Sequence, residues 1–326
     1  MIFFYTNPIL IAAAVIPAVF LLVHVYRADK LEKEPAPLLI SLVLYGIAAT
    51  FIALLLERFG SWLLGRYFPE NSTPYNVLMY FVVVAFSEEG AKYFLLKRRT
   101  WRSAAFNCQF DGVVYAVFVA LGFALWENIS YVLLYGLSTA LVRAVTAVPG
   151  HACFGAFMGV WYGLAKRLHG QGKDGAPKLC RVLALLLPAF LHGCYDYIAT
   201  IESVHYGWLF AAFVAILFMI AFILVKRQSR RDRYINNYDA EYLYAQRRLP
   251  REGQASVYFL YRGRCPVSKP PLAAPRAVRG GCICVSKCRR GYAARFRVLR
   301  NLRPSNPFRP FGPASLPLLA LRAISP

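Results

Sequence analysis

Charged residues are scarce over the first 225 residues, which hold only 16 basic and 12 acidic side chains. Over the whole chain, apolar residues make up 58% and the mean hydropathy is +0.44, well above the mixture found in soluble domains. The composition therefore excludes an ordinary soluble domain. The apolar residues instead come in blocks of about 20, the length that a membrane-spanning helix needs.

Three further signatures are missing from these blocks. The chain shows no internal repeat of the kind that many transporters carry. No serine or cysteine is obviously paired with a base, which makes a covalent mechanism less favoured. The first block lacks the basic start of a signal peptide. Its apolar stretch is also longer than the apolar region of a signal peptide normally is, so we interpret the block as a retained anchor.

The blocks predict an all-α, polytopic membrane protein with about seven transmembrane helices around a polar intramembrane cavity. These helices form one domain over residues 1–225. The predicted spans are Ile2–Tyr26, Leu38–Leu56, Tyr75–Leu96, Phe110–Tyr135, Leu137–Ala165, Val182–Thr200 and Tyr206–Val225.

Basic residues in the loops predict the orientation. Seventeen Lys and Arg residues follow spans one, three, five and seven, whereas two follow spans two, four and six. Because basic loops stay on the cytoplasmic side, we expect a protein of the cell membrane with its N-terminus outside and its C-terminus in the cytoplasm.

Most of the basic excess lies in residues 226–326, which carry +18 of the net charge of +22. From about Arg247 onward Arg, Pro and Gly dominate, so we expect a largely disordered cytoplasmic tail. Its charge favours contact with anionic lipid, at about 1 kcal/mol per basic residue near the surface. We expect no nucleic-acid partner, because no folded module accompanies the charge.

The third span contains two adjacent carboxylates, Glu88 and Glu89, and one base, Lys92. An ionised side chain at that depth costs at least about 2.5–3.5 kcal/mol, so two of them indicate a function. At spacings of four and three residues along a helix, Lys92 can pair with either carboxylate. A neutralised structural ion pair is the alternative interpretation.

Asp111 lies at the start of the fourth span. Its carboxylate could cap the N-terminus of the helix or have a functional role, and the sequence does not decide between the two. Deeper in the same span lie Glu127 and Asn128, with no cation nearby in the sequence. Gly122 is small enough for close contact between helices. In the fifth span, Arg143 is close to the outer interface, where its side chain can snorkel.

Two histidines lie beside prolines in the fifth and sixth spans. His151 follows Pro149, which we expect to kink the helix, and a functional role is favoured over a structural one. His192 and Asp196 are four residues apart and share one helix face. The alternative is a structural role, in which Asp196 only accepts a hydrogen bond from His192.

Depth supports a common site for these polar groups. At roughly 1.5 Å per helical residue from the cytoplasmic end of each span, they lie about 12–25 Å deep, from Glu89 at the shallow end to Glu127 at the deep end. Four helices of alternating direction thus place their polar side chains in one band of the membrane.

Two carboxylates with two histidines suit a hydrolase. A buried glutamate can take a proton from water, while histidines orient that water and stabilise the oxyanion of a tetrahedral intermediate. We expect no cofactor. The alternative is a zinc ion with water in its open position, held by Glu88, Glu89, His151 and His192.

Four motifs in order resemble the PrsW family of intramembrane proteases, relatives of the CAAX prenyl endopeptidases. The motifs are Glu88-Glu-Gly-Ala-Lys92, Phe110-Asp-Gly-Val-Val-Tyr115 with the block that ends in Trp126-Glu-Asn128, Pro149-Gly-His-Ala-Cys-Phe-Gly155, and Pro188-Ala-Phe-Leu-His-Gly-Cys-Tyr-Asp196. The resemblance covers roughly residues 5–225.

The resemblance implies an endopeptidase that cuts membrane-anchored proteins, as one family member does in a site-1 type cleavage of an anti-sigma factor on its extracytoplasmic side. It also implies that Glu88 and Glu89 activate water with His151, and that His192 and Asp196 form the oxyanion side. The expected supporting residues are Lys92, Asp111, Glu127 and Asn128.

Two other functions stay open. A proton-coupled transporter also uses buried Glu, His and Asp as proton relays, and a non-catalytic relative would bind membrane proteins as a scaffold. Replacing Glu88 and Glu89 by Gln separates the three functions, because only a protease loses cleavage of a membrane-anchored substrate.

Overall fold

The computed structural model describes residues 8–70, 72–201 and 204–235, and the backbone of residues 282–287 and 294–299. Helices dominate these residues, which confirms the all-α fold class. They are α1 (Pro8–Ala28), α2 (Ala36–Leu64), α3 (Thr73–Leu78), α4 (Ala85–Thr100), α5 (Asp111–Tyr135), α6 (Leu137–Val145), α7 (Ala147–Gly170), α8 (Gly175–Ala199) and α9 (Val204–Arg230).

Six stretches of this described part are long and apolar enough to cross a membrane, as expected of a multi-pass membrane protein. They are α1, α2, α5, α6 with α7, α8, and most of α9. Four of them are longer than predicted. Helix α2 continues to Leu64 rather than Leu56, α7 to Gly170 rather than Ala165, and α9 to Arg230 rather than Val225, while α8 begins at Gly175 rather than Val182.

The predicted third span is helical in three consecutive pieces. A π-helical turn, Met79–Val84, separates α3 from α4. None of the three pieces alone is long enough to cross a membrane, and α4 carries both adjacent glutamates together with four basic residues. Short π-helical segments of this kind often occur at functional sites.

The fifth predicted span is broken, but not where its proline suggested. The chain leaves helical geometry at Thr146 (φ −120°, ψ −75°), between α6 and α7. Pro149 then lies in the first turn of α7, where its missing N–H needs no partner. The predicted kink is therefore displaced by three residues, and α6 becomes a separate short helix after the positive-φ Gly136 (φ +84°).

Helix α5 forms the core of the bundle and packs against α2 on one side and α7 on the other. A Cβ added to Gly122 would lie 2.2 Å from the carbonyl oxygen of Val43, and one added to Gly46 would lie 2.1 Å from that of Val119. The predicted close contact at Gly122 is confirmed, and it lets α2 lie directly against α5.

The chain divides into two compact units, Met1–Ala240 and Glu241–Pro326. The domain boundary after residue 225 stays a prediction. In the second unit, β1 (Cys282–Lys287) pairs antiparallel with β2 (Ala294–Leu299), where we expected no regular structure. The rest of the predicted disordered tail lies outside the described residues.

Candidate functional site

Lys92 joins the two adjacent glutamates of α4. Its Nζ lies 3.0 Å from Oε2 of Glu88 and 2.8 Å from Oε1 of Glu89, so the predicted pairing is confirmed for both carboxylates at once. The side chains of Lys92, Glu88 and Glu89 are 1%, 9% and 0% exposed. One buried ammonium thus neutralises one of two buried carboxylates and leaves a net negative charge.

His192 of α8 supplies a second contact to Glu89. Its Nδ1 lies 3.1 Å from Oε1 of Glu89, and its Nε2 lies 3.4 Å from Oδ2 of Asp196, one turn further along α8. The ring stacks on Phe154 of α7, with centroids 4.7 Å apart. His192 therefore bridges the paired glutamates and Asp196, and it can donate to both sides only as an imidazolium.

His151 of α7 lies on the other side of Lys92. Its Nδ1 is 3.2 Å from the lysine Nζ, and its Nε2 is 2.8 Å from Oε2 of Glu127. Because an ammonium only donates, Nδ1 accepts and the ring proton resides on Nε2, which donates to Glu127. The rings of His151 and His192 are 5.4 Å apart.

Arg143 pairs with Glu127, which corrects two sequence interpretations. Its Nη2 lies 3.0 Å from Oε2 of Glu127, and its Nε donates to Oδ1 of Asn128 at 3.0 Å. Glu127 thus has a cation after all, and Arg143 does not snorkel. The turn at Gly136 folds α6 back beside α5, which local sequence does not reveal. Asn128 Nδ2 also donates to the carbonyl of Ala14 at 2.9 Å.

Asp111 is the predicted residue that the structure leaves out of this cluster. Its Oδ2 accepts from the backbone amides of Asn107 (3.0 Å) and Cys108 (2.7 Å), which precede the helix. Phe110 is the N-cap of α5 and makes no side-chain cap bond, so the N-cap interpretation of Asp111 is wrong. Its carboxylate groups with those of Asp29 and Glu34 instead.

Glu57 is a carboxylate within electrostatic range of this site that sequence reasoning missed. It is half-buried on α2 and interacts electrostatically with Glu88, Lys92 and His192. The predicted second span ended one residue before it. Apolar residues on both sides of Glu57, up to Leu64, were the available signal, because they mark a carboxylate inside a helix rather than in a loop.

Access to the cluster lies on the side of Glu127 and Asp196. Their side chains are 20% and 22% exposed, whereas those of Glu88 and Glu89 are 9% and 0% exposed. The predicted band of polar groups is therefore one connected cluster from α4, α5, α7 and α8, closed at the paired glutamates. Such an arrangement can hold and activate a water molecule away from lipid.

A metal ion also fits these residues. Glu88, His151 and His192 each offer one ligand atom, and these three atoms lie within 4.8 Å of one another. Two imidazoles and a carboxylate form a donor set typical of catalytic zinc, which keeps a fourth position open. Glu89, also predicted as a ligand, is not part of this set. A bound ion would compete with Lys92 for Glu88 and His151.

The chain is similar to known proteins of one family. Residues 34–225 match a family described as PrsW family intramembrane metalloprotease. The chain is 30% identical over 224 residues to the Protease PrsW of Halalkalibacterium halodurans, covering 69% of this chain and 99% of the relative. The Protease PrsW of Bacillus subtilis is 30% identical, and the match covers 70% of this chain and 97% of that relative. The Protease PrsW of Geobacillus kaustophilus is 32% identical, and the match covers 67% of this chain and 91% of that relative. No solved structure matches the chain.

Proposed function

We propose, since the chain belongs to the PrsW family of intramembrane metalloproteases, that it hydrolyses peptide bonds of membrane-anchored proteins by water attack inside the bilayer. It is a peptidase of multi-pass membrane architecture. The observation that best supports the mechanism is the buried contact of Glu89 with both Lys92 and His192, directly beside Glu88.

Glu88 is the proposed general base. Glu89 is fully buried and its Oε1 meets both Lys92 and His192, so it is committed to holding those cations. Glu88 makes one hydrogen bond to Lys92, and its buried side chain is 9% exposed, against 0% for Glu89. It takes a proton from water as the water oxygen attacks the peptide carbon, and it returns that proton to the amine when the C–N bond breaks.

His192 is the proposed donor to the oxyanion, with Asp196 holding its ring. The contact from Nε2 to Asp196 is long at 3.4 Å, so a developing oxyanion can take over that donor. His151 assists from the far side, because it fixes Lys92 through Nδ1 and is itself held by Glu127. His151 was expected to act at the water site, and in this proposal it does so through Lys92.

The ends of α5 and α8 suggest where a substrate enters. Under the orientation predicted from basic loops, the C-terminal ends of both helices face outward, and there lie the more exposed Glu127 and Asp196. We therefore propose cleavage near the extracytoplasmic face of a single-span protein, as for an anti-sigma factor. The basic segment after α9 would then lie in the cytoplasm beside anionic lipid.

Replacing Glu88 by Gln tests the base. In proteoliposomes with a single-span test protein, Glu88→Gln should cut about 100- to 10,000-fold more slowly, whereas Glu70→Gln, on an exposed loop, should cut like the wild type. Unchanged cleavage by Glu88→Gln would contradict the assignment. Substrate binding without cleavage by either protein would favour the scaffold, and proton-coupled uptake of a solute would favour the transporter.

Metal removal tests the catalytic type. Glu88, His151 and His192 would hold zinc, which when bound would polarise the peptide carbonyl and favour hydroxide. Because Lys92 already supplies positive charge to Glu88 and Glu89, we expect cleavage to survive exhaustive chelation. Activity that disappears on chelation and returns with zinc would assign the metal route and contradict the glutamate-only mechanism.

A further inference from the structure

A second cluster of carboxylates lies at the end of the bundle where α1 ends and α5 begins. Asp29 and Glu34 come from the loop between α1 and α2, and Asp111 is the first residue of α5. Each offers one oxygen, and the three oxygens lie within 4.8 Å of one another. The residues are 1%, 5% and 1% exposed, so bulk water screens their repulsion little.

Most oxygens of this cluster have no hydrogen-bond donor. Both carboxylate oxygens of Asp29, Oε2 of Glu34 and Oδ1 of Asp111 are buried without a partner. Oδ2 of Asp111 is satisfied by the two amides that precede α5. Buried acceptors are rarely left in this state, which points to a ligand that supplies positive charge.

The nearby base does not neutralise these carboxylates. Lys33, on the same loop, donates to the main-chain carbonyls of Tyr26 and Asp29. Among the described residues, none of the ion pairs involves Asp29, Glu34 or Asp111. Burial raises the pKa of Asp29 to about 6, and the Lys33 ammonium opposes this rise only in part. Burial also raises the pKa of Glu34 to about 7, and repulsion by neighbouring carboxylates adds to both shifts.

Asp232, which follows α9, extends the cluster. Its Oδ1 accepts from the amide of Phe110 at 2.8 Å, while its Oδ2 is buried without a partner. It interacts unfavourably with both Asp29 and Asp111. Three separate parts of the chain thus bring carboxylates to one place.

We propose that Asp29, Glu34 and Asp111 bind one hard divalent cation, of the Mg²⁺ and Ca²⁺ class, which joins the α1–α2 loop to the start of α5. The donors are carboxylate oxygens without imidazole or thiolate ligands, the set that such cations prefer over zinc or copper. Asp232 adds a further negative charge beside these three ligands. This site is separate from the intramembrane cluster and does not depend on the proposed peptidase chemistry.

A shared proton is the competing explanation. Asp111 and Glu34 interact directly, and the hydroxyl of Tyr115 lies beside Glu34. A proton held between two carboxyl groups would lower the repulsion without any metal. The two explanations differ in whether the protein responds to added cation.

Thermal unfolding of the purified full-length chain in detergent distinguishes them. After chelation and removal of the chelator, Mg²⁺, Ca²⁺ or Mn²⁺ is titrated, and one bound Mn²⁺ per chain is counted by electron paramagnetic resonance. The wild type should gain about 5–10 °C at a hundredfold excess over Kd. Asp29→Asn and Glu34→Gln should lose the shift and the bound Mn²⁺.

Two matched variants locate the ion. Glu32→Gln changes an exposed carboxylate on the same loop, which accepts from Asn107 Nδ2, and it should keep the shift. Glu88→Gln alters the intramembrane cluster and should also keep it. A shift lost in Glu88→Gln but retained in Asp29→Asn would place the ion in the membrane and overturn the proposal.

Two further results would also overturn it. A wild type that shows no saturable response to any of the three cations would favour the shared proton. Without metal, Asp29→Asn should melt at or above the wild type, because it relieves repulsion between carboxylates. A lower melting temperature would show that Asp29 already has a partner within the protein.

Discussion

At the scale of single residues, Lys92 organises the site. Its ammonium contacts Glu88, Glu89 and His151, and it lies 3.8 Å from the ring centroid of Phe123. A buried cation is tolerated when carboxylates and an aromatic face replace its water. Its removal would leave Glu88 without its closest ion-pair partner and Glu89 with His192 alone.

Lys92→Met should therefore destabilise the protein as well as inactivate it. Breaking a buried ion pair by removing one partner costs about 3–5 kcal/mol, so the melting temperature in detergent should fall clearly. Lys97→Met, an exposed lysine on the same helix, should change the free energy of unfolding by less than about 0.5 kcal/mol. A Lys92→Met protein as stable as the wild type would show that the two glutamates do not need its charge.

Residue identities and helix spacing were enough to predict most of the site. Lys92 is three and four residues from the two glutamates, so their contact follows from helix geometry alone. The Arg143–Glu127 pair did not follow, because it depends on a tight turn between α5 and α6. Glu57 was missed because its place inside α2 depends on where that helix ends.

At the scale of helices, Gly193 sets the distance between α8 and the π-helical turn. A Cβ at this position would lie 2.5 Å from Cδ1 of Phe81. Both His192 and Asp196 are on α8, so their positions relative to α4 depend on this close approach. The extra residue that a π-helical turn inserts also rotates α4 relative to α3.

Gly193→Ala should lower activity by displacing α8. Overpacking of this kind costs about 1–3 kcal/mol, and Phe81→Leu in the same chain should recover part of the cleavage rate by making room. Gly207→Ala, where an added Cβ meets nothing within 4 Å, should be neutral. Full activity of Gly193→Ala would mean that Phe81 moves aside and that the approach is not critical.

At the scale of the whole molecule, the chain divides into a helical unit and a basic C-terminal unit. The family match ends at residue 225, and the relatives are covered over 91–99% of their own lengths. Residues beyond Ala240 thus have no counterpart in those matches. The residues proposed for catalysis lie on α4, α5, α7 and α8.

A chain that ends after Ala240 should cleave the test substrate at the wild-type rate. It should bind anionic vesicles less tightly than the full chain, because it lacks most of the basic excess. The two proteins should bind neutral vesicles equally. Rates and vesicle binding are measured on the same reconstituted preparations. A truncated protein that is folded but inactive would assign the second unit a part in catalysis.

The sequence alone determined that this protein is a helical membrane protein with buried acid and histidine, because the lengths of apolar blocks and the cost of buried charge are local properties. Only the tertiary structure decided which cation meets Glu127, that Glu57 lies within electrostatic range of the site, and that Asp111 joins a different cluster. Those contacts join residues on different helices, and turn geometry and close packing at glycines control how such helices meet.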